Sequence, residues 1–372
     1  MSERLPTMSI WIVPLAVMIG CGSPQPTNEG DGTGGAMNSS GGGGSDSATG
    51  GRSSGGTTGG GSGGSSSGGA LQSGGTSSTG GADTAPDTGG ASGEGTGGVF
   101  NGTCTASVAT GRNASGSGPY DVVVETNDDP GIAEGTIYRP ADLSGEEVFP
   151  IFVWGEGGCS QDGYSNASAM AEIASYGYFV VADGTPGGGG NRETNGDGGP
   201  LLAYIDWAIA ENEKPCSAYF HSIDTTKVAA NGFSCGGLMA TGTAEDPRMT
   251  TWGHTSSGLF SANSAFYDAV HTPVLILTGT ADDLAYENGV RDYEGIAEAG
   301  AVPVMLLAKD GAGHGGDLFQ ANGGQFTAVI LAWLNWWLKD DETAAGKGAL
   351  VGAGCKYCSD ASWSIRSANL PQ

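Results

Sequence analysis

The chain has 372 residues, of which 40 are Asp or Glu and 14 are Lys or Arg, so its formal net charge is −26. A surface this acidic repels phosphate backbones and anionic lipids, which argues against nucleic-acid binding and favours a neutral binding partner. The 71 glycines are densest in the first hundred residues, and this distribution divides the chain into regions.

The first twenty residues are typical of an export signal. Residues 8–20 form an apolar run that is interrupted by Pro14 and is too short to span a bilayer. The run ends in a segment, MIGC, that resembles the bacterial lipoprotein box, in which a Cys follows the cleavage site and carries lipid. We therefore expect 1–20 to be a lipoprotein signal peptide, with Cys21 lipidated and the protein exported to the outer membrane or cell surface. The alternative is an ordinary secretory peptide, in which Cys21 has no role.

Residues 21–100 are predicted to be a disordered tether. They contain 30 Gly, 15 Ser and 10 Thr, and no aromatic residue before Phe100. Such a segment buries too little apolar surface to offset the entropy of ordering it. The folded part then consists of a domain over 101–340 and a Cys-containing C-terminal tail over 341–372.

Export favours disulfide formation, because the compartments outside the cytoplasm are oxidising. Six cysteines follow the tether, at positions 104, 159, 216, 235, 355 and 358. A bridge between Cys104 and the pair Cys355/Cys358 would tie the two ends of the folded part together. The alternative for the pair is a redox or metal site, although no second CxxC or His cluster accompanies it.

Alternating strand and helix patterns fill the folded part. Short apolar runs typical of strands cover 120–125, 135–138, 149–154, 178–182, 228–232, 273–278 and 303–308. Patterns with helical spacing cover 167–176, 201–213, 237–244, 288–299 and 325–339. The later strands are continuously apolar, which indicates burial on both faces of a parallel sheet. We predict an α/β fold with a doubly wound, mostly parallel sheet flanked by helices, whose ligand binds at the carboxyl ends of the strands.

Ser234 is the candidate nucleophile. It lies in Gly232-Phe233-Ser234-Cys235-Gly236, a G-x-S-x-G motif between a predicted strand and a predicted helix. The same pattern occurs twice in the tether, at 51–55 and 64–68, without a strand or helix beside it. Only the strand–turn–helix setting exposes the serine on a sharp turn, where the helix N-terminus favours developing negative charge. The alternative is a serine in an ordinary Gly-rich turn.

A serine hydroxyl needs a neighbouring base, and the chain offers four histidines. His271 precedes a strand and so lies at the opposite edge of the sheet, and His221 is expected on a surface loop. His254 follows Ser234 too closely to be the usual base, so it is expected to be a neighbour of the site or to form structural hydrogen bonds. His314 lies between the last predicted strand and the final helix, which makes it the candidate base.

An acid is expected after the preceding strand, where it would hold the imidazole in one tautomer. Strand 273–278 leads into the turn GTADD, which ends in two aspartates. We predict Asp282 as the acid, with Asp283 as the alternative. The resulting chain order of Ser, Asp and His is that of the α/β-hydrolases.

Two backbone N–H groups are expected to form an oxyanion hole. Cys235, directly after the candidate nucleophile, supplies one of them. The segment WGEGG ends strand 149–154 and supplies the other, for which we predict Glu156 with Gly157 as the alternative. Loss of one such donor typically lowers turnover about 100- to 1,000-fold.

Together these residues resemble the α/β-hydrolase superfamily over roughly residues 120–340. Within it they are most similar to the group of dienelactone hydrolases, chlorophyllases and bacterial cutinases or polyester hydrolases. The segments that carry the resemblance are 232–237 as elbow, 279–282 as acid turn, 313–314 as base and 155–156 as oxyanion segment. Cys235 stands where cutinases usually carry Met or Gln, and Tyr286 stands where a Pro often follows the acid. The resemblance implies a serine esterase.

An open, shallow site is expected, because the interval between His254 and Pro273 is too short for a cap domain. Candidates for the substrate-binding rim are Trp154, Gly157, Phe233 and Phe260. We predict a secreted or surface-anchored serine esterase whose substrate is a neutral ester, including polymeric esters of the cutinase or polyesterase type. The alternatives are a carbohydrate acetyl or feruloyl esterase, a serine peptidase on the same fold, and a non-catalytic surface-binding module. The mechanism implies no metal or organic cofactor, a monomer is expected, and the membrane is contacted only through the lipid anchor.

Overall fold

The computed structural model describes residues 107–192 and 196–371. The predicted signal peptide 1–20 and the predicted tether 21–100, with its lipidation site Cys21, lie outside these ranges, as does Cys104.

A single mixed sheet lies at the centre of the fold. Its strands are β1 (Ala109–Ala114), β2 (Val122–Asn127), β3 (Gly135–Pro140), β4 (Phe149–Gly155), β5 (Phe179–Asp183), β6 (Ile223–Gly232), β7 (Thr251–Thr255), β8 (Val274–Gly279), β9 (Val304–Lys309) and β10 (Trp363–Ala368). Their spatial order is β1-β2-β3-β5-β4-β6-β7-β8-β9-β10. Neighbours from β5 to β9 pair in parallel, whereas β1, β2, β3 and β10 pair antiparallel at the two edges. The mostly parallel sheet confirms the predicted fold class.

Helices cover both faces of the sheet. They are α1 (Ala167–Ser175), α2 (Gly199–Glu213), α3 (Cys235–Thr241), α4 (Ser264–Ala269), α5 (Tyr286–Ala299), α6 (Gly324–Lys339) and α7 (Lys347–Leu350). One core cluster joins α1, α6 and α7 to the sheet, and a second joins α2, α3, α4 and α5 to the other face. Helix α6 is fixed near the sheet centre, where the indole N–H of Trp333 donates to Thr251 Oγ1 at 2.8 Å. The segment 256–273 between β7 and β8 holds only the short helix α4, as the open-site prediction requires.

The C-terminal tail forms part of the sheet, which its sequence did not indicate. Strand β10 pairs with β9, and the buried ring of Trp363 packs on Phe326 of α6 with ring centroids 5.9 Å apart. Cys355 and Cys358 form a disulfide with each other. The sequence had left the pairing of these cysteines open, and this bond leaves neither of them for a bridge to Cys104. The tail instead closes one edge of the sheet through its own strand.

Within 107–192 and 196–371, no helix combines the length and apolar character needed to cross a bilayer. The same ranges contain no group of three or more His, Cys, Asp or Glu side chains placed to hold a metal ion.

Candidate active site

The turn between β6 and α3 presents Ser234 at the carboxyl edge of the sheet. Ser234 adopts φ 54° and ψ −118°, a backbone conformation that is unfavourable for a side chain larger than glycine. Its backbone N–H donates to the carbonyl oxygen of Thr255 in β7 at 2.9 Å. Glycines allow the turn to pack tightly, because a Cβ on Gly236 would overlap the backbone of Gly155 in β4. The strained turn is therefore held in place by both neighbouring strands.

His314 joins Ser234 to a buried carboxylate. Its Nε2 lies 2.8 Å from Ser234 Oγ, and its Nδ1 lies 2.8 Å from Asp283 Oδ1. The three groups come from the chain after β6, β8 and β9, so the parallel sheet brings them to one edge. The Asp283 side chain is inaccessible to solvent, whereas 24% of the His314 side chain is exposed. The imidazole therefore lies between a buried acid and the hydroxyl of the half-buried Ser234.

The carboxylate that contacts His314 differs from the prediction by one residue. The backbone N–H of Asp283 donates to the carbonyl of Thr280 at 2.8 Å, which forms a tight turn after β8. This turn directs Asp283 back towards the strand end, where it is buried, and leaves Asp282 exposed. The prediction of Asp282 is therefore wrong, and the alternative Asp283 occupies the position. The turn geometry that separates the two neighbours is decided by a backbone hydrogen bond that the sequence pattern does not reveal.

Hydrogen-bond donors keep Asp283 ionised. Its Oδ2 accepts the backbone N–H of Gly279 at 3.0 Å, and its Oδ1 accepts the backbone N–H of Ala285 at 3.0 Å. Burial by itself raises the pKa of this carboxyl, but hydrogen bonds from Ser256, Ala285, His314 and Gly279 outweigh burial and hold the pKa below its ordinary value. A carboxylate held in its charged form can orient and stabilise a protonated imidazole.

Two serines after β7 belong to the same network, and sequence reasoning missed both. Ser256 is fully buried with φ 46°, and its Oγ accepts the backbone N–H of Gly315 at 3.0 Å. Its hydroxyl also hydrogen-bonds Asp283. Ser257 Oγ donates to the carbonyl oxygen of Ser234 at 2.6 Å. The loop after β7 thus connects the serine turn with the histidine loop. Its only sequence signal, a Ser pair after a strand, is common in ordinary turns.

The predicted oxyanion segment lies against the serine turn. Glu156 follows directly after β4, and a Cβ on Gly236 would lie 2.6 Å from the Glu156 backbone nitrogen. A disulfide between Cys159 and Cys235 joins the two segments covalently. The backbones of the two predicted donors, Glu156 and Cys235, are therefore neighbours beside Ser234.

The side chain of Glu156 is a further feature that the sequence did not indicate. It is fully buried, and burial is the main reason that its pKa rises to about 8. The N–H groups of Trp154 and Asn166 lower this pKa in part, whereas the charges of Asp162 and Asp183 raise it further. The carboxyl beneath the oxyanion segment is therefore mainly protonated at neutral pH.

Comparison with known protein families agrees with this fold. A model of the family described as PET hydrolase-like matches residues 103–346. The chain belongs to this family. It is accordingly an ester hydrolase of the α/β-hydrolase type, and the resemblance inferred from the sequence is confirmed. No match is found among curated proteins. Strand β10 lies beyond the matched range.

The rim of this PET hydrolase-like site differs in part from the prediction. Trp154 is fully buried and packs with Phe152 in the core, because β4 is covered on both faces, so its assignment to the rim is wrong. Phe233 is 8% exposed, and its ring centroid lies 4.9 Å from that of His314. Gly157 is in close contact with the Phe233 ring, where a Cβ would overlap it. These two residues form the floor beside the imidazole.

Three large apolar side chains are exposed on loops at the same edge, and we call them the apolar rim: Phe260, Leu284 and Phe319. Their exposed fractions are 81%, 80% and 62%. Phe319 packs edge-on against Phe233 at 5.7 Å, and Leu284 directly follows the buried Asp283. Phe260 was predicted, whereas the other two were missed. Large apolar side chains that remain in water next to a site mark a surface suited to an apolar ligand.

The remaining histidines lie outside the Ser234 network. His254 is fully buried in β7, and its Nε2 lies 3.4 Å from Asp292 Oδ2. Neither ring nitrogen has a hydrogen-bond partner among the described residues, so the favoured hydrogen-bonding role is not confirmed. His221 and His271 are both exposed.

Proposed function

We propose that the protein is an exported serine esterase that hydrolyses polyesters through an acyl-enzyme. Ser234 is the nucleophile, His314 accepts and returns its proton through Nε2, and Asp283 holds the imidazole through Nδ1. The observation that carries this proposal is the hydrogen-bonded chain from Ser234 through His314 to Asp283, 2.8 Å at both links. These three hydrogen-bonded residues lie in a domain whose family consists of ester hydrolases.

The proposed reaction has two halves. Ser234 Oγ forms a bond to the ester carbonyl carbon while its proton moves to His314, and the negative charge on the carbonyl oxygen is stabilised by the N–H groups of Cys235 and Glu156. The intermediate then loses the alcohol, which takes the proton from His314, and an acyl-enzyme remains. Water repeats the sequence with His314 as base, which releases the acid and restores Ser234. General base catalysis of this kind contributes roughly 100- to 10,000-fold to the rate.

A bulky apolar ester is the substrate class that the surroundings favour. The apolar rim offers three exposed hydrophobic side chains to a chain segment lying across the site. The interval between β7 and β8 adds only α4, so a polymer can approach the serine without opening a lid. The formal charge of −26 disfavours polyanionic substrates but not neutral polyesters.

Export and anchoring form the second part of the proposal. The apolar segment 8–20 followed by Cys21 supports lipidation at Cys21, and the Gly/Ser/Thr-rich segment 21–100 supports a tether that carries the domain away from a membrane surface. Metabolic labelling with palmitate tests this directly. We expect the wild-type protein to incorporate label in membranes and C21A to lose it. A wild-type protein that is unlabelled and free in the medium would instead indicate a secreted enzyme.

A substrate panel with S234A as control tests the catalytic proposal. We expect the wild-type protein to release soluble products from polyester film and p-nitrophenol from short acyl esters, and the variant to release neither. Acetylated glycan, feruloylated glycan and peptide in the same panel test the alternatives, and faster turnover of any of these would overturn the polyester assignment. A fluorophosphonate probe that fails to label the wild-type protein would contradict a serine enzyme and leave a binding module.

A further inference from the structure

A disulfide lies directly beside the proposed nucleophile. Cys235, the residue after Ser234, is bonded to Cys159, which is 76 positions earlier and follows the oxyanion segment. Cys159 is 1% exposed, and Cys235 is partly buried. The bond therefore connects the two stretches of backbone that carry the proposed oxyanion donors. The mechanism proposed above assigns no role to this disulfide.

Strained backbone lies at one end of this disulfide and directly next to the other end. Gly158 and Cys159 have φ values of 65° and 49°, and Ser234 has φ 54°. A left-handed conformation costs free energy for residues other than glycine, and it persists only where the surroundings fix it. Near Cys159 the chain is held by two further bonds, since its N–H donates to the Glu156 carbonyl at 3.2 Å and its carbonyl accepts the N–H of Arg192 at 2.7 Å.

Glu156 lies directly before this strained segment. Its N–H belongs to the short segment between β4 and the turn Gly157–Cys159, and it lies beside Gly236. Hydrogen bonds to an oxyanion require donors about 3 Å from the position of the developing charge, so a small displacement of either segment weakens stabilisation of the transition state. Substrate binding at the apolar rim does not depend on these two N–H groups.

We propose that the Cys159–Cys235 disulfide is a positioning element that sets the distance between the two oxyanion donors. The inference rests on the proposed function. It assigns to Cys159 and to the Cys235 side chain a role that acts through the backbone N–H groups of Glu156 and Cys235. Its loss is expected to lower kcat with little change in KM, because transition-state stabilisation is lost while ground-state binding is kept.

The test compares C159A/C235A with the matched control C355A/C358A, which removes the second described disulfide, far from the serine turn in sequence. Turnover of a soluble p-nitrophenyl ester and the Ki of a phenylboronic acid are measured for both variants and for the wild-type protein. The boronic acid forms a tetrahedral adduct with the serine and so reports on the oxyanion hole separately from folding. We expect C159A/C235A to lower kcat about 10- to 100-fold and to raise the boronate Ki by a similar factor. The control is expected to retain both values within about twofold.

The outcomes separate the inference from the proposed function. If C159A/C235A loses thermal stability but keeps the wild-type kcat and boronate Ki, the disulfide only stabilises the fold and the inference is overturned. If the alanine pair does not fold, C159S/C235S takes its place, because serine preserves the approximate side-chain size. A wild-type protein with neither turnover nor boronate binding would refute the proposed function itself, and with it the inference.

Discussion

Glu156 makes the stability of this protein depend on pH in a way that one substitution removes. Its pKa is raised from an ordinary value of 4.5 to about 8 by burial. Between these values the unfolded chain has lost the proton and the folded chain keeps it, so folding requires proton uptake and stability falls as pH rises. One pH unit corresponds to about 1.4 kcal/mol, which gives a cost of roughly 3 kcal/mol at pH 7 from this side chain.

Glu156→Gln is expected to remove this cost, because the amide has nearly the shape of the protonated carboxyl and does not ionise. The difference in unfolding free energy between E156Q and the wild-type protein should be near zero at about pH 4.5 and reach up to about 3 kcal/mol in favour of E156Q at pH 7. Urea unfolding at a series of pH values measures this difference. The contributions of all other titrating groups to the unfolding free energy are common to both proteins and cancel. Glu146, which is exposed, supplies the control E146Q, which removes one carboxylate from the surface instead of from the interior. An E156Q curve parallel to that of the wild-type protein across this range would show that Glu156 does not take up a proton on folding.

Two further predictions concern the substrate surface and the tail. L284A/F319A should lower the hydrolysis of polyester film several-fold, because an extended substrate needs the exposed apolar rim. The same variant should keep kcat/KM for a short soluble ester within about twofold of the wild-type value. Unchanged film hydrolysis would contradict the role of the rim. Trp363→Ala should cost about 3–5 kcal/mol of unfolding free energy, measured in urea, because it removes a buried ring from the contact with Phe326. A loss below about 1 kcal/mol would show that β10 contributes little to the fold.

The central strands and helices could be predicted because their patterns follow from burial. Strands β4, β8 and β9 are covered on both faces and therefore appear as continuous apolar runs. The edge strands have weaker signals. Strand β1 is almost entirely exposed, and in β10 three of the six residues are exposed, namely Ser364, Arg366 and Ser367. Both strands therefore depend on pairing with a neighbouring strand. Their existence follows from the sheet rather than from their own residues.

The sequence predicted Ser234 and His314 as individual residues, but it predicted the acid only to the level of its loop. The strand–turn–helix context located Ser234, and the order of strands located the loops that hold His314 and the acid. Which of two adjacent aspartates faces inwards depends on the backbone bond from Asp283 to Thr280, and the pattern of residue types is the same for either choice. Trp154 was misplaced for a similar reason. Because β4 is covered on both faces, the aromatic side chain near its end is buried in the core and does not reach the rim.

Disulfide pairing could not be predicted for a related reason. The partners Cys159 and Cys235 are 76 positions apart and meet only because β4 and β6 are neighbours in the sheet. The strand order that makes them neighbours is a property of the whole fold.

The proposed triad is tested most directly by the turnover of a soluble p-nitrophenyl ester by D283N and D282N. Asp283 contacts the imidazole at 2.8 Å and is buried, whereas the adjacent Asp282 is exposed. An amide at position 283 would favour the wrong imidazole tautomer, so we expect D283N to lower kcat about 1,000- to 10,000-fold, and D282N to change it less than about twofold. Equal losses in the two variants, or a fully active D283N, would contradict the proposed triad.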